Sequence, residues 1–553
     1  MLQPFRHFTI AVKRCSLVGL AVGADIIDYK YLFWRTWPGE DLEGEAGQKA
    51  RAARHQAYSD CHRRCAERLL KVLKANGGIY IKLGQHISSV TLLPNEWSGT
   101  MRPLQDQCNP TPLPDLQRLF TEETGHSMND AFSEFNTEAI GVASLAQVHK
   151  ATDRQGRPVA VKLMHPDLED FAFIDMKTTA ILLKVVKSLF PTFEFEWLGD
   201  EMKENLPLEM DFVHEAKNAE RCRRDFQEFQ QTSVVIPKIH YASKRVLIME
   251  YIEGARVDNL DYLKEHKIDK NQVSQELARI FSQMVYLNGF FHADPHAGNL
   301  LIRPRAKGSR SPYNFDIVLL DHGLYFDLDD DLRTNYARFF LSLIAPGGKE
   351  TDQFRRRFAK DFAHVDEQDY ETFQAVITGR VSLDDPASAS TDSGSGFSLL
   401  DMPPPDQHEM HQMRAATSLD GVVEQILKLL RTMPRRLLMI LKLNDLTRSL
   451  DAALQTTHGP TVWLIIAEYC ARSAWLEDRR KLRIRRANEG WNFSVLRQWT
   501  GAWLTLEKWR WGLWLASWSV PANRHRNETD FAHAGCLNSV ALGIISLHYC
   551  RRR

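Results

Sequence analysis

Hydrophobic and polar positions change period several times along this chain, and the changes divide it. From Ala46 to Ala75 apolar residues recur at helical spacing beside a strongly basic face, and the pattern stops at Asn76-Gly77-Gly78, residue types that end helices. A second helix is predicted from "IYIKLGQHISSV". Pro94, Pro103, Pro110, Pro112 and Pro114 then punctuate short elements, and "LPDLQRLFTEETG" reads as a capped helix ending at Gly125. Between about 131 and 165 the period becomes two: "ASLAQVHKATD", the turn-like "RQGRP" and "VAVKLM" predict strand, turn and strand.

Helical spacing returns in "DLEDFAFIDMKTTAILLKVVKSLF" and again from Trp197 to about Gln230. "SKRVLIMEYIEG" predicts a buried strand and an exposed connector, and "QVSQELARIFSQMVYLNGF" an amphipathic helix leading into "FHADPHAGNLLI". "FDIVLLDHGL" is a further strand with a tight end. Strands first and helices afterwards predict an α+β, two-lobed fold. Residues 382–417 are rich in Ser, Asp, Pro, Gly and Met without a period and predict a disordered insertion, after which "LDGVVEQILKLLRTMPRRLLMILKLNDLTRSLDAAL" is helical again.

Composition changes this picture little. The chain has 553 residues, 44% hydrophobic and 25% charged, which is ordinary for globular proteins and enough for about two to four domains or one large catalytic domain with extensions. Lys plus Arg and Asp plus Glu are both 70, so there is no overall electrostatic push toward nucleic acid, and no nucleic-acid partner is predicted. The eight cysteines form no C-x-x-C pair, which argues against a disulfide framework or a zinc ribbon. Cys61, His62 and Cys65 come closest to a ligand cluster, but Cys61 and Cys65, at i and i+4 of a helical pattern, read as packed side chains.

Local charge says more. The first thirty residues carry Arg6, Lys13 and Arg14 with no acid before Asp25, and the apolar run Cys15 to Ala24 is too short to span a bilayer. This suits a mitochondrial import leader and, equally, an ordinary amphipathic helix. Near the other end "RRKLRIRR" precedes Trp491, Trp499, Trp503, Trp509, Trp511, Trp514 and Trp518. Tryptophan favours the membrane boundary and basic residues favour anionic lipid, so this tail reads as an interface-seeking helix. A helix packed on the large lobe, or a partner-binding face, is the alternative. The closing run Cys536 to Cys550 is too short and interrupted for a membrane span.

The candidate chemistry lies in the strand region and beyond. In "IGVASLAQVHKA", Gly141, Ala143 and Ala146 stand where a phosphate-cradling G-x-G-x-x-G loop carries glycines. "VAVK" places Lys162 at the end of a strand, where a kinase lysine reaches the α and β phosphates. A buried lysine needs a counter-charge, and Glu215 in "DFVHEAKNAERC" is the candidate. "HADPHAGN" has the H-x-D-x-x-x-x-N spacing, with Asp294 in the catalytic position and Asn299 after it, and "LLDHGL" supplies Asp321, a hard carboxylate for Mg²⁺ beside Asn299. Ser144 of the loop and Glu250 at the end of "VLIME" complete the predicted nucleotide-binding set. Any one of these motifs could be a turn-rich loop or a surface lysine; their order, with strands where strands are required, carries the signal.

The departures from an ordinary protein kinase also inform. The long helical stretch between Lys162 and Glu215 places helices within the small lobe, Ala293 replaces the arginine of H-R-D, and no A-P-E follows Asp321. A conventional peptide-docking activation segment is therefore not expected. Alanine is penalised at positive φ, so Ala143 and Ala146 are expected to hold a triphosphate differently from glycines and to restrain transfer to protein acceptors.

Together with "KLGQ" (Lys82, Gly84, Gln85) and "EMD" (Glu209, Asp211), these residues resemble the aarF/UbiB atypical kinases, and "GVASLAQVHKA", "FEFEWLGDEMKENLPLEMDF" and "VLLDHGLY" are most similar to the first of the animal aarF-domain-containing kinases, the ADCK group. The likeness runs from about Tyr29 to Leu454. It implies a bilobal protein-kinase-like fold with an N-terminal helical K-x-G-Q extension over the active site, ATP and Mg²⁺ as cofactors, and ATPase or small-molecule kinase activity. It also implies a mitochondrial role in lipid or ubiquinone homeostasis and in cristae maintenance. Lys82 and Gln85, three apart on one helical face, can point at the same site, although a solvated lysine is the plain alternative. Glu209 and Asp211 suit Mg²⁺ or the extension, or are surface charge. The expected organisation is an N-terminal targeting segment 1–45, the extension 46–130, a small lobe 131–255, a large lobe 256–470 and a basic, Trp-rich tail 471–553. Expected partners are ATP or ADP and, through the tail or the N-terminus, mitochondrial membrane lipid. The rival expectation is a nucleotide-sensing scaffold.

Overall fold

The computed structural model describes residues 2–38, 44–89, 94–105, 108–191, 196–345, 348–378, 429, 432–456 and 459–519. The insertion predicted at 382–417 and the closing run 536–550 lie outside the described residues. The chain forms two compact units. One comprises Met1–Val257, Ala293–Tyr325 and His411–Met433, and the other Asp258–His292, Phe326–Met410 and Pro434–Arg553. The architecture is mixed α+β and mostly helical, with small sheets.

In the first unit, α1 (Leu2–Trp34), α2 (Glu45–Asn76), α3 (Ile79–Ser89), α4 (Asn95–Met101), α5 (Leu113–Thr124) and α6 (Met128–Ala131) precede strands β1 (Phe132–Val142), β2 (Ala146–Asp153) and β3 (Pro158–Met164). Then come α7 (Asp167–Leu189), α8 (Glu196–Glu209) and α9 (Phe212–Gln227). The helix stops foreseen by residue type are made: Gly77 (φ 68°) donates its N–H to Leu73, and left-handed Gly125 donates to Thr121. Ser127 and Asp130 form a capping box at α6.

β1, β2 and β3 join Val246–Glu250 and Ile239–Ala242 in one five-stranded antiparallel sheet, in the order β1, β2, β3, Val246–Glu250, Ile239–Ala242. Period two divides β3 between two cores. Val159, Val161 and Leu163 pack with Leu116, Phe120 and Val246, whereas Ala160 and Met164 pack with Leu73, Tyr80, Leu206 and Phe212 of the helices. Lys162 shares the face of Ala160 and Met164, so its ammonium is delivered toward α8 and α9. A second sheet runs Val234–Val235, Phe315–Leu319, Leu300–Pro304, Ala255–Arg256, and its two central strands flank the loops that carry Asn299 and Asp321.

The leader-like segment is a packed helix. Val18, Ala21 and Leu32 of α1 are buried, Arg14 binds Asp175 of α7 and the Asn76 carbonyl, and Asp25 pairs with Arg68 of α2. Cys61 and Cys65 are fully buried with their sulfurs 4.0 Å apart, in a cluster with Leu32. Among the described residues no group of three or more His, Cys, Asp or Glu is placed to hold a metal ion.

The second unit is largely helical, with Asp330–Ile344, Lys349–Ala363, Arg435–Ala453, Gly459–Glu489 and Phe493–Ser519 as its long elements. "RRKLRIRR" lies within the Gly459–Glu489 helix. The tryptophan-rich helix packs against that element, with Trp499 edge-on to Trp475 and to Trp491 at 6.2 and 6.1 Å, while Trp503 and Trp511 stay exposed. No helix among the described residues is long and apolar enough to cross a membrane.

Candidate active site

β3, α3, α8, α9 and two loops of the same unit bring four acids to two lysines. Lys162 Nζ lies 2.7 and 2.9 Å from the Glu215 carboxylate oxygens and 3.8 Å from Asp321 Oδ1. Glu215 occupies the first turn of α9, where the helix dipole favours an anion, and Phe212 of the same turn sets its ring 5.1 Å from the ammonium. The two helices between β3 and α9, α7 and α8, therefore leave the lysine–glutamate pair intact.

Lys82 projects from α3 into a second acidic group. Its Nζ is 2.6 Å from Glu209 Oε2 and 3.9 Å from Asp294 Oδ2. Glu209 ends α8, whose interior Pro207 precedes the turn into α9. Asp211 does something else: it is the N-cap of α9, accepting the Val213 N–H at 2.9 Å. The two acids of "EMD" thus divide their work, one holding Lys82 and the other seating the helix that carries Glu215. Gly84 makes the approach of α3 possible, because a Cβ there would stand 2.1 Å from the Leu104 side chain.

Burial and charge oppose one another throughout. Burial raises Glu215 to about 7, with Lys162 opposing and Asp321 adding to the rise. Burial disfavours the Lys162 ammonium, but Asp321 and Glu215 outweigh it and its pKa is raised. Burial likewise works against Lys82, and Glu209 and Asp294 more than offset it, so that ammonium too is held firmly charged. Glu209 is pushed up by burial against the pull of Lys82.

The loop segments are tied by backbone. The Asp294 carbonyl accepts the His296 N–H at 2.9 Å and the Asn299 side-chain amide N–H at 3.1 Å, a bond that engages the Asn299 NH₂ and not its oxygen. Leu320 N–H donates to the Asn299 carbonyl at 3.0 Å, so Asn299 and Asp321 are neighbours, and Asp321 Oδ1 accepts the Gly323 N–H at 2.8 Å. One carboxylate and one carboxamide oxygen are hard donors, and Mg²⁺ commonly takes few protein ligands and completes its octahedron with water and phosphate. This donor set fits that ion.

The alanine-bearing loop is a four-residue hairpin turn closed by Ala143 N–H to Ala146 carbonyl at 2.8 Å. The expected steric penalty is absent. Among the described residues the non-glycine residues with positive φ are Lys267, His364 and Gln455, Gly141 is not among the positive-φ glycines, and a Cβ at Gly141 would meet nothing within 4 Å. Ser144 donates to Gln85 Oε1 at 3.4 Å while Gln85 Nε2 donates to the Leu104 carbonyl at 3.0 Å, so Gln85 links α3 to the turn instead of joining Lys82 among the acids. Glu250 is exposed on the sheet, its carboxylate accepting the Lys238 N–H at 3.3 Å.

With this geometry in hand, the similarity to known proteins is direct. An ABC1 atypical kinase-like domain model matches residues 103–354. The ABC1 family protein MCP2 homolog of Schizosaccharomyces pombe is 40% identical over 480 residues, spanning 86% of this chain and 81% of that protein. The chain belongs to the ABC1 family. MCP2 of Saccharomyces cerevisiae is 37% identical across 91% of this chain and 85% of its own, and AarF domain-containing kinase 1 of Drosophila melanogaster is 34% identical across 86% and 85%. Likeness to this ABC1/aarF/UbiB group is thus shared between fungal and animal members and does not single out the animal branch. The matched ABC1 span contains Lys162, Glu209, Glu215, Asp294, Asn299 and Asp321, and Lys82 precedes it.

Three further residues shape this site and were not legible as motifs. Phe212 floors Lys162. Asn218 donates to the His322 carbonyl at 2.9 Å, holding the Asp321 turn to α9. His165 stitches the hairpin: its Nε2 meets the Ala143 carbonyl at 3.0 Å and its Nδ1 the Thr111 hydroxyl at 2.7 Å, and since a carbonyl only accepts, Nε2 carries the proton. Burial lowers the pKa of this histidine, in keeping with a neutral ring. The one available signal was its place directly after "VAVKLM".

Proposed function

We propose that this ABC1-family chain binds Mg-ATP and transfers or hydrolyses its terminal phosphate. The observation that carries the reading is the Lys162–Glu215 pair beside Asp321, in one unit with Asp294 and Asn299. Lys162 would neutralise phosphate charge, with Glu215 orienting it, and the turn Gly141, Ala143, Ser144 and Ala146 with Glu250 would bound the nucleotide. Asn299 and Asp321 would hold Mg²⁺, which supplies charge neutralisation when bound. Asp294 would take the proton of the attacking hydroxyl or water. Lys82, 3.9 Å from Asp294, would restrict access to it and so favour a small or lipid-derived acceptor over a polypeptide. The setting would be mitochondrial, in lipid or ubiquinone homeostasis and membrane maintenance, with membrane lipid met through the N-terminus or the tail.

The same lysine favours a second reading. An ammonium 3.9 Å from Asp294 suits a nucleotide-sensing scaffold that does not turn over. Mg-dependent ATP turnover by the full chain, with and without lipid vesicles and beside Asp294→Asn and Asp321→Asn, separates the two. Turnover lost in both variants supports the enzyme; tight nucleotide binding with turnover no higher than in the variants supports the scaffold.

A further inference from the structure

α1 and α7 run side by side in the same direction, and their contacts mark out an edge. His7 meets Asp170 at 3.9 Å, Arg14 Nε reaches Asp175 at 3.2 Å, Cys15 meets Thr178 at 3.1 Å and Lys30 caps the Leu189 carbonyl at 2.6 Å. Below this edge lies the core. On the outward side α1 presents Phe8, Val12, Leu20 (74% exposed), Ile27 (69%), Tyr31 and Trp34, separated by three, four, seven or eight residues, spacings of one or two turns that keep them on one side. α7 adds Phe173, Ile174, Ile181 (61%), Val185 and Leu189. From Phe8 to Trp34 the face is about 39 Å long.

Its charge selects the occupant. Lys13 of α1 and Lys177 and Lys184 of α7 lie exposed along the two helices, Lys30 and Lys187 being tied to the Leu189 and Pro191 carbonyls, whereas the outward acids Asp167, Glu169 and Asp170 gather in the first turn of α7. Apolar side chains interspersed with lysines, ending in Tyr31 and Trp34, match a lipid interface: the hydrocarbon enters the acyl boundary, the lysine stems extend to phosphate and the aromatic rings sit at headgroup level. We propose that the outward face shared by α1 and α7 docks on an anionic lipid bilayer. This rests on the membrane-contact part of the functional reading and is independent of the nucleotide site.

The test is co-sedimentation of the full chain with phosphatidylcholine vesicles containing about 30 mol % phosphatidylglycerol, against pure phosphatidylcholine. Binding is expected to the anionic vesicles, to fall with salt, and to drop about tenfold or more in the double variant Ile27→Glu, Ile181→Glu, whose positions are exposed and outside the core. The variant Trp503→Glu, Trp511→Glu in the tail should bind as wild type. Hydrogen exchange on vesicles should protect peptides covering 8–34 and 173–189. If the wild type binds but the Ile27→Glu, Ile181→Glu variant binds equally, or protection falls on 493–519 instead, this face is not the docking surface although membrane contact stands. If the wild type does not sediment with anionic vesicles, both fall. If the double variant instead converts a dimer to a monomer with unchanged vesicle binding, the face is covered by a second copy and the proposal is overturned.

Discussion

Replacing Lys82 by Met tests whether the ammonium between Glu209 and Asp294 holds this part of the unit together. Met has similar length and no charge, so α3 keeps its packing while Glu209, about nine-tenths buried, loses the cation 2.6 Å away. Removing one partner of a buried pair typically costs about 3–5 kcal/mol, because the other is left charged and poorly solvated. The sign of the pH dependence follows. Burial already raises Glu209 and Lys82 opposes the rise, so without Lys82 the folded-state pKa climbs further. A carboxyl raised on folding binds its proton more tightly in the native state, and stability falls as pH rises from the ordinary carboxylate range through that higher value. The deficit of Lys82→Met should therefore be larger at pH 8 than at pH 5, and Lys82→Met combined with Glu209→Gln should recover most of it. Urea denaturation at the two pH values, with hydrogen exchange of peptides covering 79–89 and 196–209, measures both. A denaturation midpoint equal to wild type at pH 8, or a deficit as large at pH 5, would refute the reasoning, since either would mean that Glu209 finds solvent or another cation at no cost.

Three other perturbations have defined outcomes. Glu215, raised by burial from the ordinary 4.5 to about 7, should make the wild type lose on the order of 3 kcal/mol between those pH values, and Glu215→Gln should flatten that slope in pH-resolved denaturation. Arg14→Leu strands Asp175, which is 1% exposed, and should cost about 3–5 kcal/mol, partly restored by adding Asp175→Asn. Unchanged stability in Arg14→Leu would show that α1 is not clamped through this pair. Gly254→Ala places a Cβ 2.8 Å from the Ile302 backbone carbonyl, which cannot swing aside, so a loss of about 1–3 kcal/mol and faster exchange at 255–256 and 300–304 are expected.

Some of this protein was readable without coordinates because local chemistry dictates it. The stops at Gly77 and Gly125, the strand–turn–strand run through Gly156 and the alternation that sets Lys162 apart from Val161 and Leu163 depend on neighbours in the chain, where periodicity and φ preferences act. The pairing of Lys162 with Glu215 was also legible, since a lysine at a buried strand position must find an acid and the order of motifs left one candidate. The rest depended on contacts that no spacing encodes. Lys82 and Gln85 share a helix, yet tertiary packing sends one to Glu209 and Asp294 and the other to Ser144 and Leu104. Glu209 and Asp211 differ by two residues, but the α8–α9 turn makes the first a counter-ion and the second a cap. Ala143 and Ala146 adopt ordinary backbone because hairpin pairing, not glycine geometry, closes their turn. The basic N-terminus is legible as helical by pattern, but where α1 packs is set by Asp175 and Arg68, distant residues whose charges demand partners once buried. Local pattern thus reaches as far as the main helices and strands and the charges that need answering; which charge answers which is set by packing, because burial, the source of that need, is a property of the folded chain.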